Sequence, residues 1–125
     1  MTRIFLAIAS ILGGLSVAAG AFASHALKEK LTERALEIFQ TGARYQMYHA
    51  LALMLVALLL SRAEVAQTPL TVAGSAFIAG IAIFSGSLYA LSLTGIKWLG
   101  AIAPLGGAAL ILGWGCLAIA ALSFQ

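Results

Sequence analysis

No Asp, Glu, Lys or Arg occurs in residues 4–27, 45–61, 65–96 or 98–125 of this 125-residue chain. A helix needs about 20 predominantly apolar residues to cross a hydrocarbon core about 30 Å thick. The four uncharged runs therefore predict an all-α, integral membrane bundle of four transmembrane helices, with little chain outside the bilayer. Composition agrees: 62% of residues are hydrophobic and 9% are charged, against about 45–50% and about 25% in soluble domains. A single domain over residues 1–125 is expected.

Seven basic and four acidic side chains give a net charge of +3. That is too few Lys and Arg for a nucleic-acid footprint, which needs them clustered on a folded face. One cysteine, Cys116, precludes an intrachain disulfide and is read as a small packing hydrophobe. The N-terminus imitates a signal peptide, with Arg3, an apolar run and Ala21-Phe22-Ala23. The run nevertheless exceeds the usual apolar core of about 7–15 residues, so an uncleaved first span is expected.

The spans are placed at about 4–23, 45–61, 70–93 and 98–122. Ser16, Gly20 and Ser24 recur every four residues on span one. Small stripes of this kind let helix backbones approach closely in lipid, either inside the bundle or in a homo-oligomer. Most of the charges fall between spans one and two: Lys28, Glu29, Lys30, Glu33, Arg34, Glu37 and Arg44. In that segment Leu27, Leu31, Ala35, Ile38 and Phe39 follow a helical period. An amphipathic interfacial helix over about 27–43 is expected, with Thr32 placed to cap a helix starting at Glu33. Glu33 and Glu37 lie within helical reach of Lys30 and Arg34, so the polar face neutralises itself.

Pro69 suits the first turn of span three. Pro104 and Gly106-Gly107 predict a kink or thinning near the start of span four. The turns at Arg62 and Lys97 then lie on opposite faces of the membrane. Arg3 and Arg62 on one side oppose Lys28, Lys30, Arg34, Arg44 and Lys97 on the other. The positive-inside rule puts the long loop in the cytoplasm and both termini across the membrane.

Polar and aromatic residues gather in the long-loop half of the bilayer. Ser24 and His25 end span one, and Arg44, Tyr45, Tyr48 and His49 begin span two. Ser85, Ser87 and Tyr89 end span three, and Trp98 with Gly106 and Gly107 begins span four. The opposite half is mostly Ala, Leu, Ile and Val. Ionisable residues inside a span face the bundle interior or water by default. His25, Arg44, Tyr45, Tyr48, His49, Ser85, Ser87 and Tyr89 are therefore the candidate polar pocket, with His49 first among them. The competing reading of His49 is a core histidine satisfied by a Ser or a backbone carbonyl. Ser16, Gly20, Ser24, Gly86, Gly106 and Gly107 are the candidate helix-packing positions.

Two histidines with no acid beside them within the spans fall short of the three protein ligands of a catalytic zinc. No CxxCH motif supports haem, so neither a metal nor another cofactor is expected. The chain has no Asp, which removes a Ser–His–Asp arrangement, and no phosphate-binding glycine loop. Arg44 is read as reaching the interface along its aliphatic stem, with an anionic headgroup or Glu37 as other partners.

Four segments in order resemble one small bacterial membrane family. They are Gly20-Ala21-Phe22-Ala23-Ser24-His25-Ala26-Leu27 and Thr41-Gly42-Ala43-Arg44-Tyr45-Gln46-Met47-Tyr48-His49-Ala50-Leu51. Phe84-Ser85-Gly86-Ser87-Leu88-Tyr89 follows, then Pro104-Leu105-Gly106-Gly107 with Gly113-Trp114. The chain is similar over nearly its whole length to the domain-of-unknown-function 423 family. It departs at Ala23-Ser24, where a Gly-Ala pair is usual, and at Ala103, where a Thr usually precedes the proline. The resemblance implies a four-helix integral membrane protein and no established activity.

A non-enzymatic structural or accessory component of the cell (inner) membrane is the leading expectation. Its partners are the lipid bilayer and a homo-oligomer or larger membrane complex. The competing expectation is small-ligand binding or transport through the polar pocket, with His49→Ala as its test.

Overall fold

The computed structural model describes residues 1–125 as an all-α bundle. Its helices are α1 (Thr2–Phe22), α2 (Glu33–Arg62), α3 (Gln67–Thr94) and α4 (Leu99–Ala121). All four are long and apolar enough to cross a membrane.

The first span outlasts its expected end near residue 23, because a π turn at Ala23–Leu27 prolongs α1. No helix breaker precedes Lys28, and buried Ala23 and Leu27 pack with Phe39 of α2 in a small cluster of their own. The capping expected at Thr32 is present: its Oγ1 accepts the Ala35 N–H at 3.1 Å. From there α2 runs 30 residues without interruption. The helix expected over 27–43 and the span expected from 45 are thus one element, about 45 Å long at 1.5 Å per residue. Charge does not end a helix, and the one weak point, Gly42, costs only about 1 kcal/mol relative to Ala.

Short connections follow. Ala66 takes a left-handed conformation (φ 61°) immediately before α3. Pro69 then lies in the first turn of α3, where its missing N–H removes no intrahelical bond. Gly95 (φ 72°) closes α3, with its N–H donated to Leu91 O at 2.8 Å. A left-handed residue directly after a helix is the usual position for glycine. Pro104 is accommodated inside α4, which continues through it as one helix.

α2 packs between α1 and α3, and α3 packs along α4. The α3–α4 seam sets glycines against large side chains. A Cβ on Gly80 would stand 2.5 Å from Leu110 Cδ2, and one on Gly113 would stand 2.6 Å from Phe77 Cδ1. A Cβ on Gly106 would collide with the Phe84 backbone. Helices associating in lipid gain from such contact because no hydrophobic drive brings them together.

The main apolar core lies in the half remote from the charged segment. Phe5, Leu53, Val56, Leu70 and Phe77 are wholly buried there. The outward faces of the spans carry large aliphatic side chains too: Ile11 of α1 is 61% exposed and Ile111 of α4 is 73% exposed. A chain that spends large aliphatic side chains on its surface is built to be solvated by lipid.

Candidate functional site

Between the main core and the small cluster under the charged segment lies a belt of polar side chains. Gly42, Gln46 and His49 lie on one face of α2, spaced by four and three residues, and all three are buried. Each meets a neighbouring helix.

His49 is the centre of the aromatic part. Its Nδ1 lies 2.7 Å from the Tyr45 carbonyl one turn earlier. The indole N–H of Trp114 on α4 donates to its Nε2 at 3.0 Å. A carbonyl only accepts and an indole nitrogen only donates. Both bonds can form only if Nδ1 carries the proton and Nε2 does not, so the geometry assigns a neutral imidazole of defined tautomer. Its ring stacks on Tyr45 with centroids 6.1 Å apart. Phe77 packs tilted against it at 5.6 Å, and Trp114 stands edge-on at 5.9 Å.

Gln46 is the centre of the second part. Its Nε2 donates to Leu12 O of α1 at 2.8 Å, and its Oε1 accepts the Tyr89 hydroxyl of α3 at 2.7 Å. One carboxamide so joins three helices. Gly42 makes room for this: a Cβ there would stand 3.0 Å from the Tyr89 ring. The Tyr89 ring also packs on Phe39 at 4.8 Å. Two serines complete the belt by bonding to α2 carbonyls that already serve the helix. Ser85 Oγ donates to Gly42 O at 2.7 Å, and Ser16 Oγ donates to Ala43 O at 2.6 Å.

The expected pocket residues thus divide. His49, Ser85 and Tyr89 enter the belt. Ser87 is buried but turns back on its own helix, donating to Phe84 O at 3.0 Å. His25, Arg44, Tyr45 and Tyr48 are exposed. Arg44 reaches Thr41 Oγ1 at 3.3 Å. Glu37 pairs instead with Arg34, at 3.7 Å. The packing candidates divide too. Ser16 and Gly106 hold helices together, and a Cβ on Gly107 would stand at ordinary van der Waals distance from the Phe84 ring. Around Gly20 and Gly86 a Cβ would meet nothing within 4 Å, and Ser24 is exposed, donating to Gly20 O.

Gln46 and Trp114 are absent from the sequence candidates. Both were open to detection. Gln46 falls between Gly42 and His49 on one helical face. Trp114 lies deep in a span, whereas a membrane tryptophan favours the interface; a buried indole N–H usually finds a partner.

Two grooves flank the belt. The α2–α4 groove, about 560 Å³, is walled by Tyr45, Tyr48, Phe84, Ile111 and Trp114, with His49 at its floor. The α1–α2 groove, about 340 Å³, is lined by Ser16, Gly20, Ser24, Gln40, Ala43, Arg44 and Met47. No three His, Cys, Asp or Glu side chains come together in a metal-binding group.

A family profile described as "Protein of unknown function (DUF423)" matches residues 19–107. The chain is 43% identical to the UPF0382 membrane protein YwdK of Bacillus subtilis, over 98% of each chain. It is 38% identical to a UPF0382 membrane protein of Staphylococcus epidermidis, again over 98% of both. The same identity and coverage hold for the UPF0382 membrane protein SAB0533 of Staphylococcus aureus. No solved structure matches the chain.

Proposed function

The chain belongs to the DUF423 family of membrane proteins of unknown function, and from that premise we propose that it is a non-catalytic structural or accessory component of the cell membrane. One observation carries this reading. Every buried side-chain nitrogen and oxygen in the bundle has a hydrogen-bond partner. A site for a polar solute needs groups held in reserve for it, and a polar group left without a partner in a dry interior costs about 1–3 kcal/mol. The belt spends its donors on holding four helices in one arrangement.

The lipid-facing sides of α1 and α4 are then the surfaces through which a homo-oligomer or larger complex assembles. The first three turns of α2, which carry Glu33, Arg34 and Glu37, lie at the cytoplasmic interface, and both termini lie across the membrane. The excess of basic residues flanking that segment supports this orientation. So does length, since about 45 Å of helix exceeds a hydrocarbon core of about 30 Å.

Native mass spectrometry after gentle extraction tests the proposal. A stable homo-oligomer or a reproducible larger complex supports it. A monomer that carries a stoichiometric water-soluble metabolite, lost in His49→Ala, would replace it with the binding or transport reading.

A further inference from the structure

The geometry points to a phosphate-headgroup site for a membrane phospholipid in the α1–α2 groove, with the Arg44 guanidinium as its anchor. The inference is independent of the accessory role, since it concerns a groove on the outside of the bundle.

Three observations meet there. The groove is an existing space of about 340 Å³. A Cβ on Gly20 would touch nothing within 4 Å, so the wall stays back where a side chain would otherwise fill it. The groove is polar and positively charged, for Arg44 and Gln40 line it and no acid does. The structure's one ion pair joins Arg34 to Glu37 and leaves Arg44 without an acidic partner. Its single side-chain bond, to Thr41 Oγ1 at 3.3 Å, leaves most of its five N–H donors free.

Depth is also right. Arg44 is the last charged residue before the uncharged run 45–61, so it stands where headgroup gives way to hydrocarbon. A planar guanidinium fork matches two phosphate oxygens, and basic pockets between membrane helices are known headgroup sites. Below Arg44 the groove passes Gly20 and ends at Ser16 and Met47. That slot accommodates the glycerol and the first methylenes of an acyl chain. Gln40, half-buried beside the guanidinium, supplies a carboxamide N–H to the same phosphate.

The test is native mass spectrometry of the full chain in a neutral detergent, titrated with phosphatidylglycerol, with phosphate-free diacylglycerol and with inorganic phosphate. One saturable phosphatidylglycerol should bind, and diacylglycerol should not. Arg44→Gln should weaken binding by about ten- to a hundredfold, as loss of a charge-assisted hydrogen bond implies. Gly20→Leu should block it by filling the slot. Gly86→Leu, which also projects into open space, should leave it unchanged, and helicity by circular dichroism confirms that each variant folds. Should Gly20→Leu not fold, Ser24→Leu takes its place at the same wall. Equal phosphatidylglycerol binding by wild type, Arg44→Gln and the groove-filling variant overturns the site, as does equal binding of diacylglycerol. Binding of inorganic phosphate in place of the lipid would keep the phosphate chemistry and overturn the lipid as its source.

Discussion

Trp114 donates its indole N–H to Nε2 of His49 across 3.0 Å, and that bond ties the last helix of the bundle to the second. With Nδ1 committed to the Tyr45 carbonyl, the imidazole has no freedom of tautomer. Nitrogen-15 spectra of histidine-labelled protein in micelles should show one buried imidazole, neutral and protonated at Nδ1. A mixture of tautomers at His49 would contradict the geometry.

Trp114→Phe keeps the aromatic contact with Phe77 but deletes the donor. It should destabilise the bundle by about 1–2 kcal/mol, the consequence of leaving a buried acceptor without its partner. The readout is reversible unfolding in mixed micelles. In the same spectra the Nε2 resonance should move while Nδ1 stays protonated, which a purely steric effect would not produce.

Tyr89→Phe and Gln46→Leu should be non-additive. Tyr89 gives its hydroxyl to Gln46 Oε1, so the tyrosine change should cost little once Gln46 is gone. A coupling of about 0.6 kcal/mol, reaching about 1.7, is the scale found for polar contacts between membrane helices. Additive losses in a double-mutant cycle would show that the two side chains do not interact.

Glycines at similar depth should differ sharply. Gly106→Ala sets a methyl group against the Phe84 backbone, which has no rotamer to escape into. The loss should reach about 1–3 kcal/mol, as overpacking commonly does. Gly86→Ala, whose Cβ meets nothing within 4 Å, should stay within about 0.5 kcal/mol of wild type. Both are measured by the same unfolding titration.

The number of helices was legible because lipid imposes one overriding constraint: a charge inside the hydrocarbon is expensive, so uncharged runs of the right length announce themselves. The start of α2 was not legible by that rule. Arg44 is the last charge before the uncharged run 45–61, while the helix itself starts at the Thr32 cap and passes Arg44 without interruption. Gly86 illustrates a second limit. It lies six residues after Gly80, about 120° from it around the helix at 3.6 residues per turn. One glycine therefore faces Leu110 and the other faces outward. Composition shows that a glycine is present, and only the facing helix shows whether its smallness is used. His49 stands out because a histidine inside a span is conspicuous. Its partner does not, because Trp114 blends with the aromatic background unless its indole is counted as a donor that needs an acceptor.

The unbroken course of α2 from Glu33 to Arg62 has a mechanical meaning. Glu33, Arg34 and Glu37 on its outermost turns are exposed, and no hinge separates them from the imidazole about 18 Å further along, twelve residues from Glu37 at 1.5 Å each. A rod of this kind transmits torque. A binding partner that rolled its exposed end would turn the His49 ring against Trp114, so an event at the charged end of the bundle would be felt first as a strained hydrogen bond about 18 Å further in.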